Sequence, residues 1–165
     1  TMTRKARWFW PLALVLLLGD CSSKRLAEAE LQPPHVPHEV VGDVVRLTLT
    51  YNRGAAYGMS LGDYSRWGFT ALACLVLVLL WRTYRAAEAG DRWQGAALGL
   101  VVGGAAGNLL DRLRHAMGVV DFIDVGVGDI RFWTFNVADM GVTIGAIMLA
   151  ILLLKRPHTE PKSSP

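Results

Sequence analysis

Phe132-Trp133-Thr134-Phe135-Asn136-Val137-Ala138-Asp139-Met140-Gly141-Val142-Thr143-Ile144-Gly145-Ala146-Ile147-Met148-Leu149-Ala150-Ile151-Leu152-Leu153-Leu154 is an apolar run interrupted only by Asn136 and Asp139. A bilayer core needs roughly 20 helical residues, so this run predicts a membrane-spanning helix. Asp139 lies about one helical turn inside it. An ionised carboxylate at that depth costs on the order of several kcal/mol, and such residues are functional candidates by default. The structural alternative is an aspartate paired with an arginine of another span.

Three more apolar runs lie upstream. The first begins Trp8-Phe9-Trp10-Pro11 and continues through Leu18 to Gly19-Asp20. The second is Trp67 to Trp81, and the third, rich in glycine and alanine, is Trp93 to Leu110. The first and third reach span length only by continuing past Asp20 and Asn108, which carries polar groups into the membrane. The predicted spans are about 8–28, 66–85, 92–112 and 135–155, with external segments about 30–65 and 113–134. Thr1, ahead of Met2, is expected to be an added residue and is set aside.

Composition agrees. The chain of 165 residues is 52% hydrophobic and 19% charged, below the quarter or so that a soluble domain carries. That excludes intrinsic disorder. The 2 cysteines, Cys21 and Cys74, each lie in or beside an apolar run, which excludes a disulfide scaffold. The net charge of +3 sits at the ends of the runs, a pattern of membrane orientation that excludes a nucleic-acid groove. Arg4, Lys5 and Arg7 precede the first span, Arg82, Arg85 and Arg92 separate the second and third, and Lys155 and Arg156 follow the fourth. With four spans these segments fall on one side, predicted cytoplasmic together with both termini. Asp20, Asn108, Asp111, Asn136 and Asp139 then all lie toward the outer ends of their spans.

Gly95, Gly99, Gly103 and Gly107 recur every four residues, which makes one nearly flat helix face for close packing in lipid. Gly141 and Gly145 share the spacing and are expected to face it. Outside the membrane, Val44–Asn52 alternates apolar and polar residues as a half-buried strand does. Asn52-Arg53-Gly54 would turn it and Ala55–Met59 pair back. Val119–Val125, Gly126-Val127-Gly128-Asp129 and Ile130–Trp133 read as a hairpin with a glycine-rich turn. A small sheet resting on the outer surface is expected, entered by a loop marked by Pro33, Pro34 and Pro37.

Among the polar residues, Asp111-Arg112 are adjacent opposite charges one turn from Asn108, expected to satisfy one another. Asp20 and Lys24 have the i, i+4 spacing of a helical pair. In the strand reading Asp121 and Ile123 face one way, and Phe122 and Asp124 the other. Ser22 and Ser23 beside Lys24 hint at a serine–lysine hydrolase, but neighbours on a helix project about 100° apart, poor geometry for proton transfer. His35 and His38 lack a third ligand nearby, so no metal site is expected. Leu18-Gly19-Asp20-Cys21 imitates a lipoprotein cleavage site, but Asp20 stands where a small residue is wanted, so Cys21 reads as an ordinary helix residue. What remains is several carboxylates converging on one membrane face. Two facing carboxylates can share a proton, one acting as general base on water while the other protonates the carbonyl oxygen or leaving group.

Five ordered motifs carry a resemblance: Asp20-x-x-x-Lys24, Asn52-x-Gly54-Ala55-Ala56-Tyr57-Gly58, Gly107-Asn108-x-x-Asp111-Arg112, Val119-Val120-Asp121-Phe122-Ile123 and Phe135-Asn136-x-Ala138-Asp139. Together they resemble lipoprotein signal peptidase (signal peptidase II) over nearly the whole chain. The resemblance implies a mainly α membrane protein: a four-helix transmembrane bundle with a small extracytoplasmic β-sheet, forming a single domain over 1–165. It implies an aspartic endopeptidase of the bacterial inner membrane, its site facing the periplasm. Such an enzyme cleaves the signal peptide from prolipoproteins immediately before the diacylglyceryl-modified cysteine. The implied catalytic dyad is Asp121 and Asp139, with Asp20, Lys24, Asn52, Gly54, Asn108, Asp111, Arg112 and Asn136 lining or bracing the site. Neither metal nor organic cofactor is implied. The expected partners are diacylated precursors and membrane lipid, with the chain a monomer and no nucleic acid involved. The chain departs from the family pattern where Gly118 abuts Val119 after His115-Ala116-Met117, at Tyr57 in place of phenylalanine, and at Met140-Gly141. Two other classes remain: a catalytically impaired paralogue that binds acylated precursors, and a small transport or proton-relay protein. A relay predicts polar residues at several depths, whereas here they cluster at the outer end.

Overall fold

The computed structural model describes residues 1–53 and 65–155. Its elements run α1 (Arg4–Glu30), β1 (Pro37–Val41), β2 (Val45–Asn52), α2 (Ser65–Ala86), α3 (Arg92–Arg114), β3 (Val119–Val127), β4 (Ile130–Arg131) and α4 (Val137–Leu154). Each expected span coincides with a helix, and α1 exceeds its expected bounds at both ends. Two of the helices, α2 and α4, are long and apolar enough to cross a membrane by length and composition. The other two are diluted by polar residues on buried faces: Asp20 and Lys24 on α1, Gln94 and Asp111 on α3.

α1 begins at Thr3, whose hydroxyl caps the Ala6 N–H at 3.3 Å, and α3 begins at Asp91, whose carboxylate accepts from Gln94 N–H at 2.9 Å. These are ordinary side-chain caps on first-turn donors. The glycine stripe of α3 does pack a helix, but its partner is α1. A Cβ at Gly95, Gly99 or Gly103 would lie 2.5–2.6 Å from the carbonyl oxygens of Lys5, Phe9 and Ala13. Residue numbers rise together on the two helices, so α1 and α3 are parallel and in register, backbone against backbone. α4 packs antiparallel on another face of α3. Gly104 meets the Ala138 carbonyl and Gly145 meets Ala97 and Val101, whereas Gly141 meets Leu16 of α1. The expectation that Gly141 and Gly145 face the stripe is therefore corrected, because one helix carries small residues for two neighbours.

The four strands form an antiparallel sheet in the order β1-β2-β3-β4. β1 lies where a proline-marked loop was expected, and it pairs Pro37 with Thr48 and Glu39 with Arg46. The partner strand expected at Ala55–Met59 lies outside the described residues, as do Gly54 and Arg156. The second hairpin is confirmed with a tighter turn, Val127 pairing Ile130 across Gly128-Asp129, with Gly128 at φ 55. β2 and β3 pair Thr50 with Asp121 and Asn52 with Val119. Leu49, Val120 and Phe122 are buried against Ala27 and Leu31, which seats the sheet on the end of α1. At the opposite end, the Lys5 ammonium donates to the Tyr84 carbonyl at 2.8 Å and to the Ala87 carbonyl, tying α1 to the close of α2.

Candidate active site

Asn136 and Asp139 occupy the start of α4, and local helix chemistry fixes both. Asn136 is the N-cap: its side-chain oxygen accepts the Asp139 N–H at 3.0 Å, and the Asp139 carboxylate accepts the Asn136 N–H at 3.2 Å. This reciprocal capping box satisfies two donors of the kind that helix ends leave open. The Ala138 N–H is held by Asp20 from α1 at 2.9 Å. Because Asn136 Oδ1 is committed to the cap, its Nδ2 must point the other way, where it donates to Asp121 Oδ1 at 2.6 Å and lies within reach of the Val120 carbonyl at 3.2 Å.

Asp121 reaches the same place from β3. Phe135 bridges to Ile123 with backbone hydrogen bonds of 2.8 and 3.0 Å, which fastens the strand to the residue just before the cap. Alternation along β3 sends Val120 and Phe122 into the apolar seat and Asp121 to the other face. Asp124 is drawn off by Thr48 at 3.1 Å and Arg131 at 2.8 Å, so the two acids separate as expected. Asp121 is 3% exposed. Its carboxyl, ordinarily at 3.8, is pushed up to about 7 by burial first and by the neighbouring Asp139 charge second, against the opposing hydrogen bonds of the Asn136 and Asn52 side chains. As pH falls below about 7, the pair therefore takes up a proton on the strand side.

Behind the pair stands a buried ammonium. Lys24 Nζ lies 2.7 Å from Asp20 Oδ2, 2.8 Å from Asp111 Oδ2 and 2.9 Å from Asn108 Oδ1. Three acceptors match the three N–H bonds of a lysine. Asn108 Oδ1, which also faces the Asn136 amide at 3.1 Å, is thus held toward donors. That leaves its Nδ2 to donate to Asp139 Oδ1 at 2.8 Å. The orientation of the Asn108 amide follows from this network.

A family profile described as Signal peptidase (SPase) II matches residues 12–155. The chain belongs to the signal peptidase II family. Curated relatives include the lipoprotein signal peptidase of Photorhabdus laumondii, 41% identical over 149 residues, 88% of this chain and 86% of that protein. Another is the lipoprotein signal peptidase of Coxiella burnetii, 34% identical over 166 residues, 97% of this chain and 99% of that protein. Among solved structures, a bacterial membrane enzyme superposes with TM-score 0.78 at 28% identity, covering 93% of this chain and 92% of that one. Family membership makes this chain a protease of the signal peptidase II type, and its fold is that of a membrane enzyme.

Of the residues expected at a signal peptidase II site, the structure brings Asp20, Lys24, Asn52, Asn108, Asp111, Asp121, Asn136 and Asp139 into one connected network; Gly54 lies outside the described residues. Asp111 and Arg112 do not satisfy one another as expected. Asp111 is taken by Lys24 and by the Val120 N–H at 3.2 Å. Arg112, about 100° further round the helix, donates to the Asn108 carbonyl at 3.1 Å and lies over the Phe69 ring. Ser23 donates back to the Asp20 carbonyl at 3.0 Å, and His35 binds the Leu49 carbonyl through its backbone at 2.9 Å; neither joins the site. Among the described residues no group of three or more His, Cys, Asp or Glu is arranged to hold a metal.

Asp121 opens into a groove of about 400 Å³ lined by Thr50, Tyr51, Asn52, Arg53 and Thr134. Thr50, Arg53 and Thr134 were not singled out from sequence. Strand parity pointed to Thr50, which is two residues from Asn52 and so on its face. Arg66 was also missed. From α2 it donates to the Arg112 carbonyl at 2.6 Å and the Leu113 carbonyl at 3.1 Å, satisfying orphan acceptors at the end of α3.

Proposed function

We propose that this chain removes the signal peptide from prolipoproteins immediately before the diacylglyceryl-modified cysteine, with Asp121 and Asp139 as the catalytic dyad. The observation that carries the reading is the Asn136 amide, which binds Asp121 with its nitrogen while its own backbone N–H and side-chain oxygen are bound by Asp139. Two carboxyl groups held on one pivot, one of them retaining a proton near neutrality, have the division of labour that aspartic hydrolysis requires. The ionised carboxylate takes a proton from water, the water oxygen attacks the scissile carbonyl, and the other carboxyl gives its proton to the carbonyl oxygen. Collapse of the tetrahedral species returns a proton to the leaving nitrogen. Asn52 orients Asp121, and Asn108 orients Asp139. Asp20, Lys24 and Asp111 brace α1, α3 and β3 around them, while Arg112 and Gly54 complete the supporting set.

The same reading makes the chain one domain of four spans in the bacterial inner membrane, with both termini cytoplasmic and the dyad on the periplasmic side. Three features support it. Parallel α1 and α3 with antiparallel α4 is the arrangement that four alternating spans require. Exposed aromatic residues fall in two belts, Trp8, Trp10, Trp81 and Trp93 at one end and Trp67, Phe132 and Trp133 at the other, as anchors at two interfaces do. Arg4, Arg7, Arg82, Arg85, Arg92 and Lys155 lie at the first end, where Glu88 and Asp91 are the described acids, and the remaining described carboxylates lie toward the second. In this reading the chain acts as a monomer on diacylated precursors that reach the site from the surrounding lipid.

The test is cleavage of one diacylated prolipoprotein by the purified enzyme in micelles, read as a gel shift. Asp121→Asn and Asp139→Asn are each expected to abolish it. Full activity in either variant would sink the dyad.

A further inference from the structure

At the end of the molecule far from the carboxylates, α1, α3 and α4 leave a crevice of about 350 Å³ between them, lined by Trp8, Leu12, Arg92, Trp93, Ala96, Leu100 and Met148. Its floor is apolar, and the small side chain of Ala96, 5% exposed, gives it depth. Its size lies at the lower end of the range of small-molecule sites. The rim is cationic on all three helices. Arg92, the first residue of α3, stacks over the Trp93 ring at 5.0 Å. Arg4 stands one turn before Trp8 on the same face of α1, and Lys155 caps α4 two turns past Met148 on that face. All three are exposed. Asp91, the acid beside Arg92, is turned into its own helix, where it caps Gln94.

An apolar slot with cations at one end and tryptophans at its lip matches one occupant, a molecule with a hydrocarbon chain and an anionic head. Basic pockets between spans on the cytoplasmic side bind anionic lipid headgroups. We propose that this crevice is a binding site for an anionic phospholipid of the inner leaflet. One acyl chain lies along Leu12, Ala96, Leu100 and Met148, and the phosphate rests among Arg92, Arg4 and Lys155. The inference rests on the membrane orientation proposed above but uses no residue of the dyad.

The experiment is native mass spectrometry of the full chain in micelles doped equally with phosphatidylglycerol and phosphatidylethanolamine, with cleavage of the diacylated precursor measured on the same samples. One phosphatidylglycerol per chain should be retained in preference to phosphatidylethanolamine. Arg92→Gln should weaken that retention about fivefold, the worth of one basic residue at an anionic surface. Met148→Trp, which fills the slot, should abolish retention while cleavage persists. Should Met148→Trp fail to fold, the exposed pair Arg4→Gln with Arg92→Gln carries the test, since it should erase the headgroup preference. Equal retention of both lipids by the unaltered chain, or undiminished phosphatidylglycerol on the variants, would overturn the proposal. So would a dimer that dissociates on Met148→Trp, which would assign the crevice to a second copy. Intact cleavage without lipid preference refutes this inference alone, and retained lipid without cleavage refutes the peptidase reading alone.

Discussion

Replacing Lys24 by methionine keeps the length and the apolar stem of the side chain and removes only the ammonium. In the folded chain that ammonium, 2% exposed, stands 2.7–2.9 Å from Asp20, Asp111 and Asn108. Without it, two carboxylates at 0% and 6% exposure each keep a single backbone donor, Ala138 N–H for Asp20 and Val120 N–H for Asp111. Stranding one buried charge in this way costs about 3–5 kcal/mol, a large part of a total stability of about 5–15 kcal/mol. Catalysis should fall as well, because Asn108 loses the partner that keeps its oxygen away from Asp139. The assay is denaturant unfolding in micelles followed by tryptophan fluorescence, with precursor cleavage on the same preparation. Adding Asp111→Asn to Lys24→Met should recover part of the lost stability, since it neutralises one stranded group. A Lys24→Met protein within about 1 kcal/mol of the unaltered chain, a change within reach of an ordinary point mutation, would refute the buried three-way ammonium site.

The raised carboxyl of Asp121 sets two pH dependences. Cleavage should decline as pH rises through about 7, because the dyad then loses its shared proton; a pH–rate profile still flat a unit higher would contradict this. Stability should fall as pH rises from about 4 to about 7, because over that window the folded chain holds a proton that the unfolded chain has released. Melting temperatures against pH should show that slope, and Asp121→Asn should flatten it. Gly118 has φ 102 and packs against the Asn52 backbone, where a Cβ would collide with the carbonyl. Gly118→Ala should therefore cost about 1–3 kcal/mol of strain and lower kcat more than it raises KM, since Asn52 orients Asp121; unchanged kcat would remove Asn52 from that role.

Much of this was legible in the sequence because the membrane simplifies the code. Apolar length marked the helices, and strand parity separated Asp121 from Asp124. The illegible parts share a cause. Periodicity shows that a helix face is flat and is silent on who lies against it, so the glycine stripe was matched to Gly141 and Gly145 of α4 and met α1 instead. β1 has five residues and is almost wholly exposed, so it carries no alternation to read. Adjacency in sequence suggested that Asp111 and Arg112 were partners, yet a helix turns them apart and each was taken by a group many residues distant. Arg66 could not be foreseen, because capping the end of another helix depends on where that end arrives.

The double duty of Asn136 has a further outcome. Since one amide both opens α4 and holds the Asp121 carboxyl, the enzyme cannot fray the first turn of that helix and keep its dyad assembled. The Asp139 amide proton, bonded to Asn136 Oδ1, therefore exchanges with solvent only when the site has come apart. Its exchange rate in deuterated buffer becomes a direct count of the moments when the enzyme is inactive.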